Sequence, residues 1–201
     1  MRLLSLASSS PRRQQLLRDA GYQFETVKPD VVEARFEGEA PDTYVMRNAR
    51  LKADWALNYA TECERGRVVI AADTIVVHKN EILEKPENYA EARVMLKRLA
   101  GSRHQVITGV AIIGCNEKRK AGREDVFFVA TEVHFKPATP AEIEWYLSTN
   151  EPLDKAGAYG AQGHGAFLVA GVIGSYTNVV GLPMAEVSTK LVGDFAISRQ
   201  K

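Results

Sequence analysis

The sequence predicts an α/β fold built on a mixed β-sheet. Apolar runs of strand length recur along the chain, and helical patterns fall between several of them. Two consecutive pairs of runs are joined by segments that read as hairpins, which a strictly alternating strand–helix fold does not contain. At 201 residues the length suits one domain, or two lobes sharing one core.

Residues 3–7 are almost wholly apolar and end in small polar residues, as a buried strand does. Ser10 then supplies an N-cap and Pro11 the first helical position. Leu16, Leu17 and Ala20 follow at helical spacing, with Gly21 as the stop. Residues 22–27 alternate and predict a second strand, and residues 29–41 form an acidic, irregular loop. Residues 42–64 hold no glycine or proline, and Val45, Ala49, Ala53, Ala56 and Tyr59 mark one helical face. A strand over 68–77 leads through the turn 78–81 to Ile82 and Leu83. Asn88 caps a helix to Ala100. Strands follow over 105–113 and 126–135, joined by a polar hairpin loop. Thr139, Pro140 and Glu142 make a capping box for a helix to Ser148. Glycine-rich residues 151–165 read as loop, 166–173 as strand and 184–195 as a terminal helix.

The 26 Lys and Arg against 25 Asp and Glu give a net charge of +1. Bulk charge therefore attracts neither nucleic acid nor anionic membrane, and an anionic ligand must be held by locally placed groups. No apolar run approaches the roughly 18 residues of a membrane span, and the N-terminus has no signal-peptide core, so a cytoplasmic protein is expected. Cys63 and Cys115 have no metal-ligand spacing and are expected as reduced thiols.

Four constellations can carry chemistry. Ser8-Ser9-Ser10-Pro11-Arg12-Arg13 places hydroxyls and backbone N–H groups at the positive end of a helix, a natural anion site. Two arginines in that first turn oppose the helix dipole at a cost of about 0.3–1 kcal/mol, which a bound anion would offset. An N-cap with solvated arginines is the equal alternative.

Asp73, followed by Thr74, lies at or near the end of an apolar strand. A carboxylate there is costly unless paired, hydrogen-bonded or bound to metal, and it can activate water; an Asp that caps a turn is the equal alternative. Glu33 in the acidic loop is a candidate second metal ligand, although taken alone it reads as a solvated surface charge. Lys52 and Lys85 can neutralise phosphate, and Pro86 fixes the direction of Lys85. Around Gln162 the glycines allow close backbone approach, and its amide can read a base edge.

Taken together, these segments resemble the Maf family of nucleoside triphosphate pyrophosphatases. The matching pieces are Ala7 to Arg13, Ala72-Asp73-Thr74, Glu84-Lys85-Pro86, Asp154 to Gly163 and Gly174 to Pro183, in family order along the whole of residues 1–201. Ser9 stands where glycine is frequent, and Gly160-Ala161 where larger residues often precede the glutamine; neither removes a functional group.

The resemblance implies a single Maf-type domain with an elongated mixed sheet. Helices would flank it and two lobes enclose a cleft, similar to inosine triphosphate pyrophosphatases. It implies hydrolysis between the α- and β-phosphates with a divalent cation, Mg²⁺ or Mn²⁺. Arg12, Thr74 and Gln162 match the subgroup acting on dTTP and UTP. Asp73 would be the general base with Glu33 as metal ligand, although the two carboxylates could exchange roles or share the metal. Ser8, Arg13, Lys52 and Lys85 would hold the phosphates as the leaving pyrophosphate gains charge. A homodimer is common among similar proteins. The rival reading is a non-catalytic nucleotide-binding regulator of septum formation, which could lose the base and keep the phosphate grip.

Overall fold

The computed structural model describes residues 3–60, 66–115 and 121–199. Its elements run β1 (Leu4–Ala7), α1 (Pro11–Asp19), β2 (Glu25–Val27), α2 (Pro41–Trp55), β3 (Val68–His78), β4 (Glu81–Leu83) and α3 (Tyr89–Leu99). There follow β5 (Arg103–Cys115), β6 (Ala121–Phe135), α4 (Pro140–Ser148), β7 (Val169–Ile173), α5 (Tyr176–Val180) and α6 (Met184–Gly193). The strands order as β2-β1-β3-β5-β6-β7, with β4 paired to β3. β1 is parallel to β2 and β3, whereas β4 on β3 and β7 on β6 are antiparallel. The expected mixed α/β sheet is therefore present.

The chain divides into two compact units, each with its own core. The first holds residues 1–73, 108–129 and 181–201, and the second residues 74–107 and 130–180. In the first, Leu4, Leu6, Leu17, Ile70, Ile112 and Leu191 pack as one cluster, and Ala7, Ala49, Ala53, Val69 and Ile113 as another. In the second, Leu96, Leu99, Val133, Phe135, Tyr146 and Leu168 pack together.

Local chemistry sets the helix ends. The Ser10 hydroxyl accepts from Arg13 N at 3.4 Å, with Pro11 opening α1. The β2 strand begins three residues later than the alternation predicts, and the reason is the end of α1. Gly21 turns left-handed at φ +82° and Tyr22 N donates back to Leu17 O at 3.0 Å, so these amides close the helix instead of joining the sheet. Asn88 caps α3, and the capping box at Thr139 and Glu142 opens α4 as expected.

The long helix stops sooner than its pattern predicts. It ends at Trp55 and loosens into a π-helical turn over Ala56–Ala60; the remaining expected residues, 61–64, lie outside the described ones. Residues 151–168, expected as loop as far as 165, fold into three short 3₁₀ turns. The short helix α5 has no periodic signal in sequence.

Gly109 on β5 decides how closely α2 can lie on the sheet. A Cβ there would stand 2.4 Å from both the carbonyl carbon and the oxygen of Val45, and 2.7 Å from Met46 N. Backbone, not a flexible side chain, would have to move. Gly109→Ala should destabilise the protein by about 1–3 kcal/mol, lowering Tm by several degrees at this chain length. A thermal melt within 1 °C of the parent would show that α2 shifts without cost.

Candidate functional site

In the first unit, α2 gathers the chemistry. Its apolar face of Val45, Ala49 and Ala53 is fully buried. Beside it runs a second row, Tyr44, Asn48 and Lys52, at four-residue spacing and also buried. Each member points a polar tip at a neighbouring segment. The Tyr44 hydroxyl donates to Glu33 O at 3.0 Å, and Asn48 Nδ2 donates to Asp73 Oδ2 at 3.0 Å. Lys52 Nζ donates to Glu33 Oε2 at 2.8 Å and to Asp73 Oδ1 at 2.7 Å.

Lys52 thus sits between the two carboxylates predicted as base and metal ligand. Sequence reasoning gave it a place on the phosphates; the structure shows it first as the cation that makes two adjacent carboxylates tolerable. Burial alone would raise the Asp73 carboxyl, but the Lys52 charge and the hydrogen bonds from Lys52 and Asn48 outweigh it, leaving Asp73 below its ordinary range. Glu33 goes the other way. Burial and the charge of Asp73 raise its carboxyl more than Lys52 lowers it. The Glu33 side chain is 39% exposed against 11% for Asp73, so Glu33 is the one open to solvent.

Asp73 lies mid-strand in β3, not at its end. β3 pairs with β1 over Val68–Ala71 and with β4 from Val76, so residues 72–75 belong to neither pairing. The Ala72 carbonyl left over accepts from Arg13 Nη1 at 2.8 Å. Arg13 also donates through Nε to Gly181 O at 2.8 Å and through Nη1 to Ser8 Oγ at 3.3 Å. Two of its nitrogens are therefore spent fastening the loop after β1 to β3 and to the chain before α6. Burial pushes the Arg13 guanidinium down, with Arg12 adding to this and Asp73 and Glu33 opposing it. Ser8 Oγ accepts Ser10 N at 3.2 Å, and Arg12 stands partly exposed in the first turn of α1.

The second unit holds Thr74, Lys85 and Gln162. Thr74 is half-buried, whereas Lys85 and Gln162 are exposed. The Lys85 segment and the glycine-rich segment are joined, because Gly157 N donates to Glu84 O at 3.1 Å. Gly157 is left-handed at φ +66°, and a Cβ there would lie 2.8 Å from Val76 Cγ2.

Glu151, which sequence reasoning passed over, organises the loop around Gln162. Its carboxylate accepts His164 N at 2.9 Å, Gly165 N at 3.1 Å and the Tyr146 hydroxyl at 2.9 Å. Tyr146 Oη in turn accepts Gly160 N at 3.1 Å, so both ends of residues 160–165 are tied to one pair of side chains. A usable signal existed: Tyr146 lies near the end of α4, six residues before Pro152, and a buried hydroxyl there needs partners.

Among the described residues, no group of three or more His, Cys, Asp and Glu side chains comes together as a metal cage. Two carboxylates do fit a Mg²⁺-type ion, which keeps waters and takes phosphate oxygens for the rest. Among the described residues no helix is long and apolar enough to cross a membrane. Cys115 is disulfide-bonded, which corrects the expectation of two reduced thiols; the other cysteine, Cys63, lies outside the described residues. Residue spacing does not report which cysteines meet, and the thiol argument for a reducing compartment falls with it.

The Maf-like protein family matches residues 3–193. The chain belongs to the Maf family. A Clostridioides difficile protein named dTTP/UTP pyrophosphatase is 45% identical over 96% of this Maf-family chain and 95% of its own length. A Vibrio cholerae protein of the same name is 47% identical, over 94% and 96%. Among solved structures, the Staphylococcus aureus Ham1 protein aligns at 17% identity and a TM-score of 0.44, over 98% of this chain and 92% of that one.

Replacing Lys52 by methionine should separate its structural from its chemical work. Without the ammonium, both carboxylates bind protons more readily folded than unfolded, so the variant gains stability as pH falls. The deficit against the parent should reach about 3 kcal/mol at neutral pH and shrink steadily towards pH ~4.5. Melts across that range check it, and a gap independent of pH would mean that Lys52 is not what compensates Glu33 and Asp73.

Proposed function

We propose that this Maf-family chain hydrolyses dTTP and UTP to the monophosphate and pyrophosphate. What supports this above all is the near-full-length identity to relatives of that name, on a chain whose Glu33, Lys52 and Asp73 form one connected cluster. A divalent cation, Mg²⁺ or Mn²⁺, fits the hard oxygen donors of Glu33 and Asp73. When bound it neutralises phosphate charge. We read the chain as a cytoplasmic enzyme acting on a free nucleotide, with neither membrane nor nucleic acid as partner.

The residues then divide the work. Asp73 is ionised at neutral pH and takes the proton of the attacking water. Glu33, raised by burial and by its neighbour, is the carboxylate that gains most from an added cation. Lys52 holds the two apart from each other's charge and faces phosphate as a point charge. Ser8, Arg12, Arg13 and the first turn of α1 receive phosphate oxygens, with Arg13 anchored so that its guanidinium cannot swing away. Lys85 adds a further cation. Attack at the α-phosphorus releases pyrophosphate.

A panel of nucleoside triphosphates with added metal tests this directly. UTP and dTTP should yield the monophosphate and pyrophosphate, and Asp73→Asn should lower kcat by about 10²-fold or more with the fold retained. UDP and orthophosphate as the main products would sink the reading, and an active Asp73→Asn variant would remove Asp73 from the chemistry.

Base choice belongs to Gln162, Arg12 and Thr74. Uracil and thymine present acceptor, donor, acceptor along the pairing edge. A glutamine amide can accept from N3–H and donate to a carbonyl, while arginine only donates. An unpaired buried polar group costs roughly 1–3 kcal/mol, so UTP should beat CTP by about 5- to 150-fold in kcat/KM. Gln162→Ala should narrow that ratio mainly by weakening UTP. Equal turnover of CTP and UTP by the parent enzyme would show that these side chains do not read the base.

A further inference from the structure

A buried asparagine in the middle of a helix is an unusual choice. Asparagine is a poor helix former, and its amide must find partners for both ends once it leaves water. Asn48 is fully buried on α2, and both ends are partnered. Arg47 Nη1 donates to Asn48 Oδ1 at 3.3 Å, and Asn48 Nδ2 donates to Asp73 Oδ2 at 3.0 Å. The direction of this chain is forced. A guanidinium can only donate, so the atom facing it must be the amide oxygen; an ionised carboxylate can only accept, so the atom facing Asp73 must be the amide nitrogen.

Arg47 is itself immobilised. Its Nε and Nη2 grip the two oxygens of Glu39 at 2.7 Å each, Nη2 also donates to Ala34 O at 2.8 Å, and the guanidinium lies over Phe36 at 4.3 Å. Glu39, Phe36 and Ala34 all belong to the loop that carries Glu33. That loop is also held at Glu33 O by Tyr44. One stretch of α2 therefore sets both carboxylates: Tyr44 and Arg47 place the Glu33 loop, and Arg47 acts through Asn48 on Asp73.

We propose that Asn48, oriented by Arg47, is a positioning residue that fixes the Asp73 carboxylate for the hydrolytic step. Lys52 bonds Oδ1 and Asn48 bonds Oδ2, and two donors on different oxygens are what fix the rotation of a carboxylate about its Cβ–Cγ bond. With Lys52 alone, Asp73 would be tethered at one oxygen and able to turn. Catalysis is sensitive to such rotation because the accepting lone pair must lie in hydrogen-bond reach of the water it deprotonates. The inference rests on the assignment of Asp73 to the chemistry, made above.

The test compares Asn48→Leu, which keeps the branched shape and removes the donor, with Arg47→Lys, which keeps charge and loses the planar fork. Pyrophosphate release from UTP gives kcat, and calorimetric titration with a non-hydrolysable α,β-methylene analogue of UTP gives Kd. Both variants should lose kcat, Asn48→Leu by at least tenfold, with Kd within threefold of the parent. Adding Asn48→Leu to Asp73→Asn should cost little further, because a residue acting only through Asp73 has nothing left to position.

A kcat within threefold of the parent in Asn48→Leu overturns the proposal. So does a parallel loss of kcat, analogue binding and Tm, which would make Asn48 a packing residue. A multiplicative loss in the double variant overturns it as well. Should the unaltered protein release no pyrophosphate from any nucleotide, the functional assignment fails first and the positioning role falls with it, a result recognisable before any variant is made.

Discussion

A lysine ammonium buried between two carboxylates is the constraint around which the first unit is arranged. Lys52 and Asp73 would each be costly to bury alone and compensate each other at 2.7 Å, and Glu33, the more exposed carboxylate, must return to the same ammonium. Meeting that condition fixes several things at once. α2 must lie close enough to the sheet for Lys52 to reach Asp73 on β3, which explains a glycine at position 109 with the α2 backbone against it. The irregular loop after β2 must return to the same place, which explains Tyr44 and Arg47 holding its backbone. The triad to which the chemistry is assigned in the proposed function is thus also a packing requirement.

The second unit solves a different problem with similar means. A glycine-rich segment has high conformational freedom, and leaving it loose would make any reading of a base expensive. Here Glu151 takes two backbone amides and one hydroxyl, and that hydroxyl takes a third amide. The segment is ordered by side chains standing outside it, so its own residues can stay small. Gly165 is required for that reason, since a Cβ there would stand 2.5 Å from the Tyr146 hydroxyl and from Gly160 O.

Much of this fold was legible in the sequence because it rests on local rules. Caps at Ser10, Asn88 and Thr139 and the apolar runs of β1 and β3 speak for themselves through short-range chemistry. What was not legible depends on long-range partners. Tyr22 alternates like a strand residue, yet the closure of α1 claims its amide and a hydroxyl contact with Ser188 its side chain. Asn48 looks like an ordinary polar residue in a helix until Asp73, 25 positions away, is seen against it. Glu151 looks like a surface charge in a turn until residues 160–165 fold back on it. In each case the residue type was informative and the partner was not, since sequence spacing within a helix says which side chains share a face but not what that face meets.

The charge balance of the cluster closes the physical account. The protein as a whole carries a net charge of +1, so no broad field draws in a triphosphate bearing three or four negative charges. Locally, Arg12, Arg13 and Lys52 supply three cations, but Glu33 and Asp73 cancel two of them. Arg13 has moreover spent two nitrogens on the carbonyls of Ala72 and Gly181 and on Ser8. Within this cluster one positive charge is left over for a polyphosphate. A divalent cation would add the positive charge that this cluster lacks, which is why it enters the proposed function. Glu33 and Asp73, which by themselves would repel the substrate, are the residues that would hold such a cation.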